Sequence, residues 1–229
     1  MGKLLEDPAL RDRVYVFKDR AGAGRLLAAR LLNYRGQKVR VFAIPAGGVP
    51  VAAEIVRTLQ VPLDLVIVRK IQLPWTTEAG FGALNPAGEA IFNEELLERL
   101  QMTPAEVETQ VQKTLATLRE RERRLREDRA YPDLAGAPII IVDDGLASGY
   151  TMRAAINFLK GRGAGKVTVA VPTGLARTVE SLLPLVDELL CLNVRGGWSF
   201  AVAAAYEDWY DLTEEEVLEI IKSLAQNSG

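Results

Sequence analysis

PIIIVDDGLASGYTMRAAI, residues 138–156, decides how the chain is read. It opens with a run of Ile and Val, the pattern of a strand covered on both faces, as in a parallel sheet. The run ends in two adjacent carboxylates, Asp143 and Asp144, followed by a loop of small residues and a helical pattern. Ligands of open α/β sheets bind outside the carboxyl ends of the strands. There the loop amides, the Ser148 and Thr151 hydroxyls and the helix N-terminus form a cradle for an anion. The carboxylates beside it accept hydrogen bonds from two sugar hydroxyls, directly or through Mg²⁺ and its waters. One site would then hold a ribose and its 5′-phosphate. Adjacent strand residues point to different sides. Asp144 is expected to face the ligand more directly, with Asp143 positioning the loop or reaching in from the side.

Outward from this unit, strands and helices alternate. Helical spacing is expected over 19–33 and 49–60, and apolar strands over 39–44 and 63–68. The stretch 69–92 is turn-rich, with a hairpin closing around Asn85-Pro86-Ala87-Gly88. Thr103 caps a long helix from Pro104 to about Asp128. Beyond the central strand (137–144) and its helix (151–163) come a strand at 166–172, a helix at 175–185 and a last strand at 186–194. Residues 195–211 are rich in Gly and aromatics, and Thr213 with Glu216 opens a capping-box helix running to 224. The fold expected is α/β: an open, mostly parallel central sheet flanked by helices, with a small appendage. Residues 1–229 are read as a single domain, with an insertion at 71–130.

Composition narrows the chemistry. Among 229 residues there is no His and one Cys. That excludes Ser-His-Asp and Cys-His triads, His-ligated metals, zinc fingers, CxxC redox sites and intrachain disulfides. What remains is carboxylates, Arg and Lys, hydroxyls, backbone amides and hard cations held by oxygen. A net charge of −2 argues against a general nucleic-acid binder. The basic run LRERERRLREDR (118–129) pairs six basic with four acidic residues, which reads as a solvated, ion-paired helix face. No apolar run of membrane-spanning length occurs and the N-terminus lacks a leader pattern, so neither nucleic acid nor membrane is an expected partner and a cytoplasmic location is the expectation.

Two further strand ends contribute. VFAIPAGGVPVAAEI (41–55) repeats the strand–glycine loop–helix logic without carboxylates, and Gly47 and Gly48 let backbone amides approach a pyrophosphate closely. Arg69 and Lys70 place two cations at the expected end of the next strand, and Glu78 in the following loop is a further polar candidate.

The run IIIVDDGLASGYT (139–151) resembles the signature loop of type I phosphoribosyltransferases. AIPAGGVPVAAEI (43–55), DLVIVRK (64–70), EAGFGAL (78–84) and FAVAAAYEDW (200–209) resemble a bacterial subgroup of that superfamily known as predicted phosphoribosyltransferases. The resemblance extends over about residues 19–220. It implies that Asp143 and Asp144 engage the ribose hydroxyls of phosphoribosyl pyrophosphate (PRPP) and its Mg²⁺, mainly through water or substrate. Ala147, Ser148, Gly149, Tyr150 and Thr151 would surround the 5′-phosphate. Ala46, Gly47 and Gly48 would form a pyrophosphate loop, often with a strained or cis peptide, and Arg69 and Lys70 would lie near the pyrophosphate. The segment after Lys70 would be a mobile active-site loop, and 195–211 a "hood" over the acceptor, with Trp198, Phe200 and Tyr206 as the residues facing it. Gly145 stands where an apolar residue is usual, and Tyr150 where a small one is. Nothing in the hood identifies a purine, orotate or uracil acceptor.

The resemblance therefore implies a Mg²⁺-dependent transfer of the 5-phosphoribosyl group from PRPP to a nitrogen acceptor, a base or an amine, with release of pyrophosphate. Asp143 or Glu78 is the available kind of general base. The alternatives are a non-catalytic PRPP or nucleotide sensor and, less favoured, a sugar-phosphate phosphoryl-transfer or hydrolytic enzyme. Symmetry makes a homodimer the default assembly.

Overall fold

The fold is seen in a computed structural model, which describes residues 2–226 apart from Trp198, and only the backbone of Thr77 and Glu78. Six strands form a wholly parallel sheet: β1 (Lys3–Leu5), β2 (Arg40–Ala43), β3 (Leu63–Leu65), β7 (Ile139–Val142), β8 (Val167–Leu175) and β9 (Glu188–Arg195). Their order is β1-β9-β8-β7-β2-β3. The α/β architecture with a parallel sheet flanked by helices is the one expected. The central strand β7 lies between β2 and β8, with Ile141 opposite Phe42 and Val169.

The apolar runs form strands because both faces are covered. Val41, Ala43, Ile140 and Val142 enter one core, packed by α1 (Arg20–Arg30), α2 (Gly48–Leu59), α4 (Pro104–Arg126) and α7 (Glu214–Gln226). Phe42, Ile44, Ile139 and Ile141 enter the other, packed by α5 (Tyr150–Gly161) and α6 (Ala176–Leu182). This is the two-residue period of a strand, with both faces apolar.

Helix starts follow their caps. Asp19 accepts the Gly22 amide at 2.6 Å and so fixes the start of α1. Thr103 and Glu106 form a full capping box at α4, and Thr213 and Glu216 form one at α7. The far end of α4 is anchored by Arg126, which is buried, donates to Asp64 of β3 and to the Leu65 carbonyl, and lies 3.7 Å over the Tyr131 ring.

The stretch 69–92 forms a second, antiparallel sheet of β4 (Arg69–Leu73), β5 (Thr76–Leu84) and β6 (Ala90–Phe92), followed by the short helix α3 (Glu94–Leu100). The hairpin at Asn85–Gly88 is present: the Asn85 side chain accepts the Ala87 and Glu89 amides at 2.9 and 3.0 Å. One expectation is corrected here. The strand read over 63–68 ends at Leu65. Val66–Val68 stay buried, but the Ile67 amide donates to the Tyr131 hydroxyl instead of a sheet neighbour. Arg69 and Lys70 therefore open the second sheet and are not at an end of the parallel one.

Candidate active site

The carboxyl ends of β7 and β2 lie side by side and carry the two loops singled out in the sequence. After β7, Leu146 is clamped to β8: its amide donates to the Thr173 carbonyl and its carbonyl accepts from Leu175, both at 2.9 Å. The Thr178 hydroxyl holds the Ala147 carbonyl at 2.6 Å. Gly149 caps α5 with φ +81°, and a Cβ there would lie 2.6 Å from the Thr178 methyl, so glycine is required twice over. No side chain caps the first turn of α5, whose amides open the helix beside exposed Ala147 and Ser148.

These residues line a cavity of about 170 Å³ formed by Lys70, Gly82 and Gly145–Thr151. Ala147, Ser148, Gly149, Tyr150 and Thr151 are thus brought together as expected, with Lys70 facing them from the second sheet. A Cβ on Gly80 would meet Lys70 Cγ at 2.5 Å, so the lysine stem needs that glycine beside it. Arg69 does not join them. Side chains alternate along β4, and Arg69 stands near Arg121 and Glu214; burial and the Arg121 charge weaken its hold on its proton. Tyr150 forms one wall of the cavity and packs on the core under α5.

The second loop is seated on the first. The Pro45–Ala46 peptide is cis, as the resemblance led one to expect of this loop. A Cβ on Gly48 would fall 2.6 Å from the Val142 carbonyl oxygen, and one on Gly47 would fall 1.9 Å from Asp144 Oδ2. The glycines are needed because the loop lies directly against the acidic pair.

The acidic pair is largely enclosed. The Asp144 amide donates to Asp143 Oδ1 at 2.9 Å. Burial, then the neighbouring Asp144 charge, push the Asp143 carboxyl well above the usual range; burial also raises Asp144, offset in part by Arg20. Arg20, which is buried, donates from Nε to Asp144 Oδ2 at 2.9 Å and from Nη1 to the Tyr210 carbonyl at 2.8 Å, and lies 3.8 Å over the Trp209 ring. Sequence reading missed Arg20, because its carboxylate partner is 124 positions away.

The segment 195–211 reaches the same pair. The Tyr206 hydroxyl donates to the Asp144 carbonyl at 2.6 Å, and its ring lies against Phe17 and Trp209. Val202 fills the space over Gly145, where a Cβ would be 2.6 Å from Val202 Cγ1. The apolar residue usual at 145 is thus replaced by a valine from elsewhere in the chain. Phe200 lies under the Arg195 guanidinium at 4.9 Å. Trp198 and the Glu78 side chain lie outside the described residues.

The chain belongs to the phosphoribosyl transferase domain family, whose model matches residues 18–205, and so to the type I phosphoribosyltransferase superfamily. It is 37% identical over 203 residues to "Putative phosphoribosyl transferase Rv0571c" of Mycobacterium tuberculosis, a match covering 89% of this chain and 46% of that protein. The chain thus spans just under half the length of the curated relatives it matches. In three dimensions it is similar to the crystal structure of TT1426 from Thermus thermophilus, with a TM-score of 0.72 and 34% identity over 91% of this chain and 98% of that one. The AQ2163 protein of Aquifex aeolicus shares the fold at a TM-score of 0.50 and 11% identity, covering 82% of this chain and 78% of that one.

Proposed function

We propose that the protein transfers the 5-phosphoribosyl group of PRPP to a nitrogen acceptor, a base or an amine, releasing pyrophosphate. The observation that carries this reading is the acidic pair at the end of β7, set between a helix-opening anion loop and the Gly47–Gly48 loop, with Lys70 across the cavity. In this reading the 5′-phosphate lies against the amides of 147–151, Asp143 and Asp144 hold the ribose hydroxyls, and the pyrophosphate lies along 46–48. The C1′–oxygen bond to pyrophosphate breaks as the acceptor nitrogen bonds to C1′ from the opposite face. The leaving oxygen takes the negative charge, and the ribose carries oxocarbenium character in between. Oriented amides and a nearby cation stabilise such developing charge. The nitrogen's proton passes to a carboxylate or to water, with Asp143 or Glu78 as the protein group of the right kind.

The donor set suits Mg²⁺. Among the described residues no cluster of three or more acidic or other ligating side chains occurs. Two carboxylate-bearing residues supplemented by substrate oxygens is, however, the usual way Mg²⁺ is held. Asp143 and Asp144 would hold it, mainly through water or substrate, and it would supply charge neutralisation at the pyrophosphate. Arg69, turned toward α4 and α7, supports β4 in this reading, whereas Lys70 meets the ligand. Residues 1–229 act as one unit in which 71–130 covers the site and 195–211 forms the hood, with Phe200 on the acceptor side; Tyr206, expected there from the sequence, is instead buried against Phe17 and Trp209 and supports the hood from beneath. The reading extends to a cytoplasmic homodimer, and light scattering tests the assembly. Among the described residues no helix is long and apolar enough to cross a membrane.

A second reading, a PRPP-binding regulator without turnover, is favoured by one observation: Val202 packs over Gly145, next to the acidic pair, and the Tyr206 hydroxyl donates to the Asp144 carbonyl. One experiment separates the two. Pyrophosphate release from PRPP with Mg²⁺ is measured across a panel of bases and amines. Acceptor-dependent release supports the transferase, and tight PRPP binding with no release from any acceptor supports the regulator.

A further inference from the structure

Arg20 is anomalous for a surface-type residue: it is 7% exposed and stands at the first position of a helix, where a cation is disfavoured by the helix dipole. A buried ion pair is weak evidence for stability, because desolvation offsets the attraction. Its geometry is more telling. Asp144 Oδ2 has Arg20 Nε at 2.9 Å, and the space a Cβ of Gly47 would take lies 1.9 Å from the same oxygen. The carboxylate is held between the two. The other edge of the guanidinium holds the Tyr210 carbonyl, and its face covers Trp209.

The backbone carrying Arg20 is tied to the same segment. The Tyr15 and Phe17 amides donate to the Ala204 and Ala205 carbonyls at 2.9 and 3.0 Å, and the Glu207 and Asp208 amides donate back to Phe17 and Lys18 at 2.8 and 2.7 Å. Residues 15–18 and 204–208 form a hydrogen-bonded brace, with a single β-bridge at Phe17 and Tyr206, that leads into Arg20. One side chain thus touches the Asp144 carboxylate, the face of an aromatic and the main chain of the segment 206–211.

We propose that Arg20 is a positioning residue of the phosphoribosyl site. Through Asp144 it fixes a ribose-binding carboxylate, and through Trp209 and Tyr210 it couples occupancy of that site to the segment 206–211. The inference rests on the reading of Asp143 and Asp144 as the ribose pair. Lysine cannot replace Arg20 in full, since only a planar fork donates to two acceptors while stacking on a ring.

The test measures PRPP affinity in the presence of Mg²⁺ and hydrogen exchange of the peptide 206–211 with and without PRPP, for wild type, Arg20→Gln and Arg20→Lys. In wild type, PRPP is expected to slow exchange in 206–211. Arg20→Gln should weaken PRPP binding by roughly tenfold or more and abolish the PRPP-dependent protection, within the range of ordinary coupling energies. Arg20→Lys should recover part of the affinity but not the protection. A residue with a merely structural role would raise exchange equally in both states and leave the PRPP-dependent difference intact. Wild-type affinity in Arg20→Gln, or protection retained in either variant, overturns the inference while leaving the ribose reading in place. If Arg20→Gln does not fold, the protection measured in Arg20→Lys decides. Failure of wild type to bind PRPP overturns the ribose reading and the inference together.

Discussion

A methyl group on residue 47 has nowhere to go but into Asp144 Oδ2, 1.9 Å away. Gly47→Ala must therefore displace either the loop or the carboxylate. We expect it to weaken PRPP binding by roughly tenfold or more, while the cost in stability stays within the few kcal/mol typical of overpacking; calorimetric titration and chemical denaturation read the two effects separately. Lys70 and Arg69 make a second contrast at this scale. They are neighbours in sequence but face opposite sides of β4, Lys70 toward the anion loop and Arg69 toward Arg121 and Glu214. Lys70→Met should cost about tenfold in PRPP affinity, the worth of a charge-assisted hydrogen bond, and should flatten the salt dependence of binding. Arg69→Met should change affinity less than Lys70→Met; the opposite order would show that the strand presents its other face to the ligand. This division was not legible in the sequence, because a local reading sets both residues at the end of the preceding strand and does not show the new strand, β4, that turns them to opposite sides.

Elements were legible where burial writes a pattern. β7, β2, β8 and β9 are nearly all apolar and were anticipated within a few residues, as were the capped starts of α4 and α7. Three features escaped. β1 is a three-residue strand, Lys3–Leu5, whose partner β9 lies at the other end of the chain, so no local pattern marks it. Val66–Val68 read as strand because they are buried, yet after the Val66 amide, which donates to the Ala43 carbonyl, the chain leaves the ladder. β4 and β5 are separated by the turn at Pro74-Trp75, and β5 carries Gly80 and Gly82, so a local reading takes the stretch for loop. At the site, loops and acidic pair were legible from their spacing, whereas Arg20 and Val202 were not, since both arrive through tertiary packing. Val202 supplies the prediction at this scale. Gly145→Val restores the residue type usual at that position but drives it into Val202 and Thr173. It should destabilise the protein by about 1–3 kcal/mol and raise hydrogen exchange across 202–206. Substituting Val202→Ala in the same chain should relieve part of the loss, and a wild-type melting profile for Gly145→Val alone would contradict the packing described.

On the scale of the whole molecule, the absence of histidine fits a site assembled from carboxylates, amides, a lysine and an arginine. The parallel sheet sets the acidic pair and the two loops at one edge, the second sheet faces the loop at 145–151 with Lys70, and the brace of 15–18 with 204–208 brings the remaining segment next to the acidic pair. All of these contributions converge on the carboxylate pair that we propose holds the ribose of PRPP. The most direct test is a calorimetric titration of PRPP with Mg²⁺ into wild type and into the double variant Asp143→Asn/Asp144→Asn. The account predicts saturable binding to wild type, weakened roughly a hundredfold or more in the variant, since two charge-assisted contacts are lost. No binding to wild type, or equal binding to a correctly folded double variant, would contradict it.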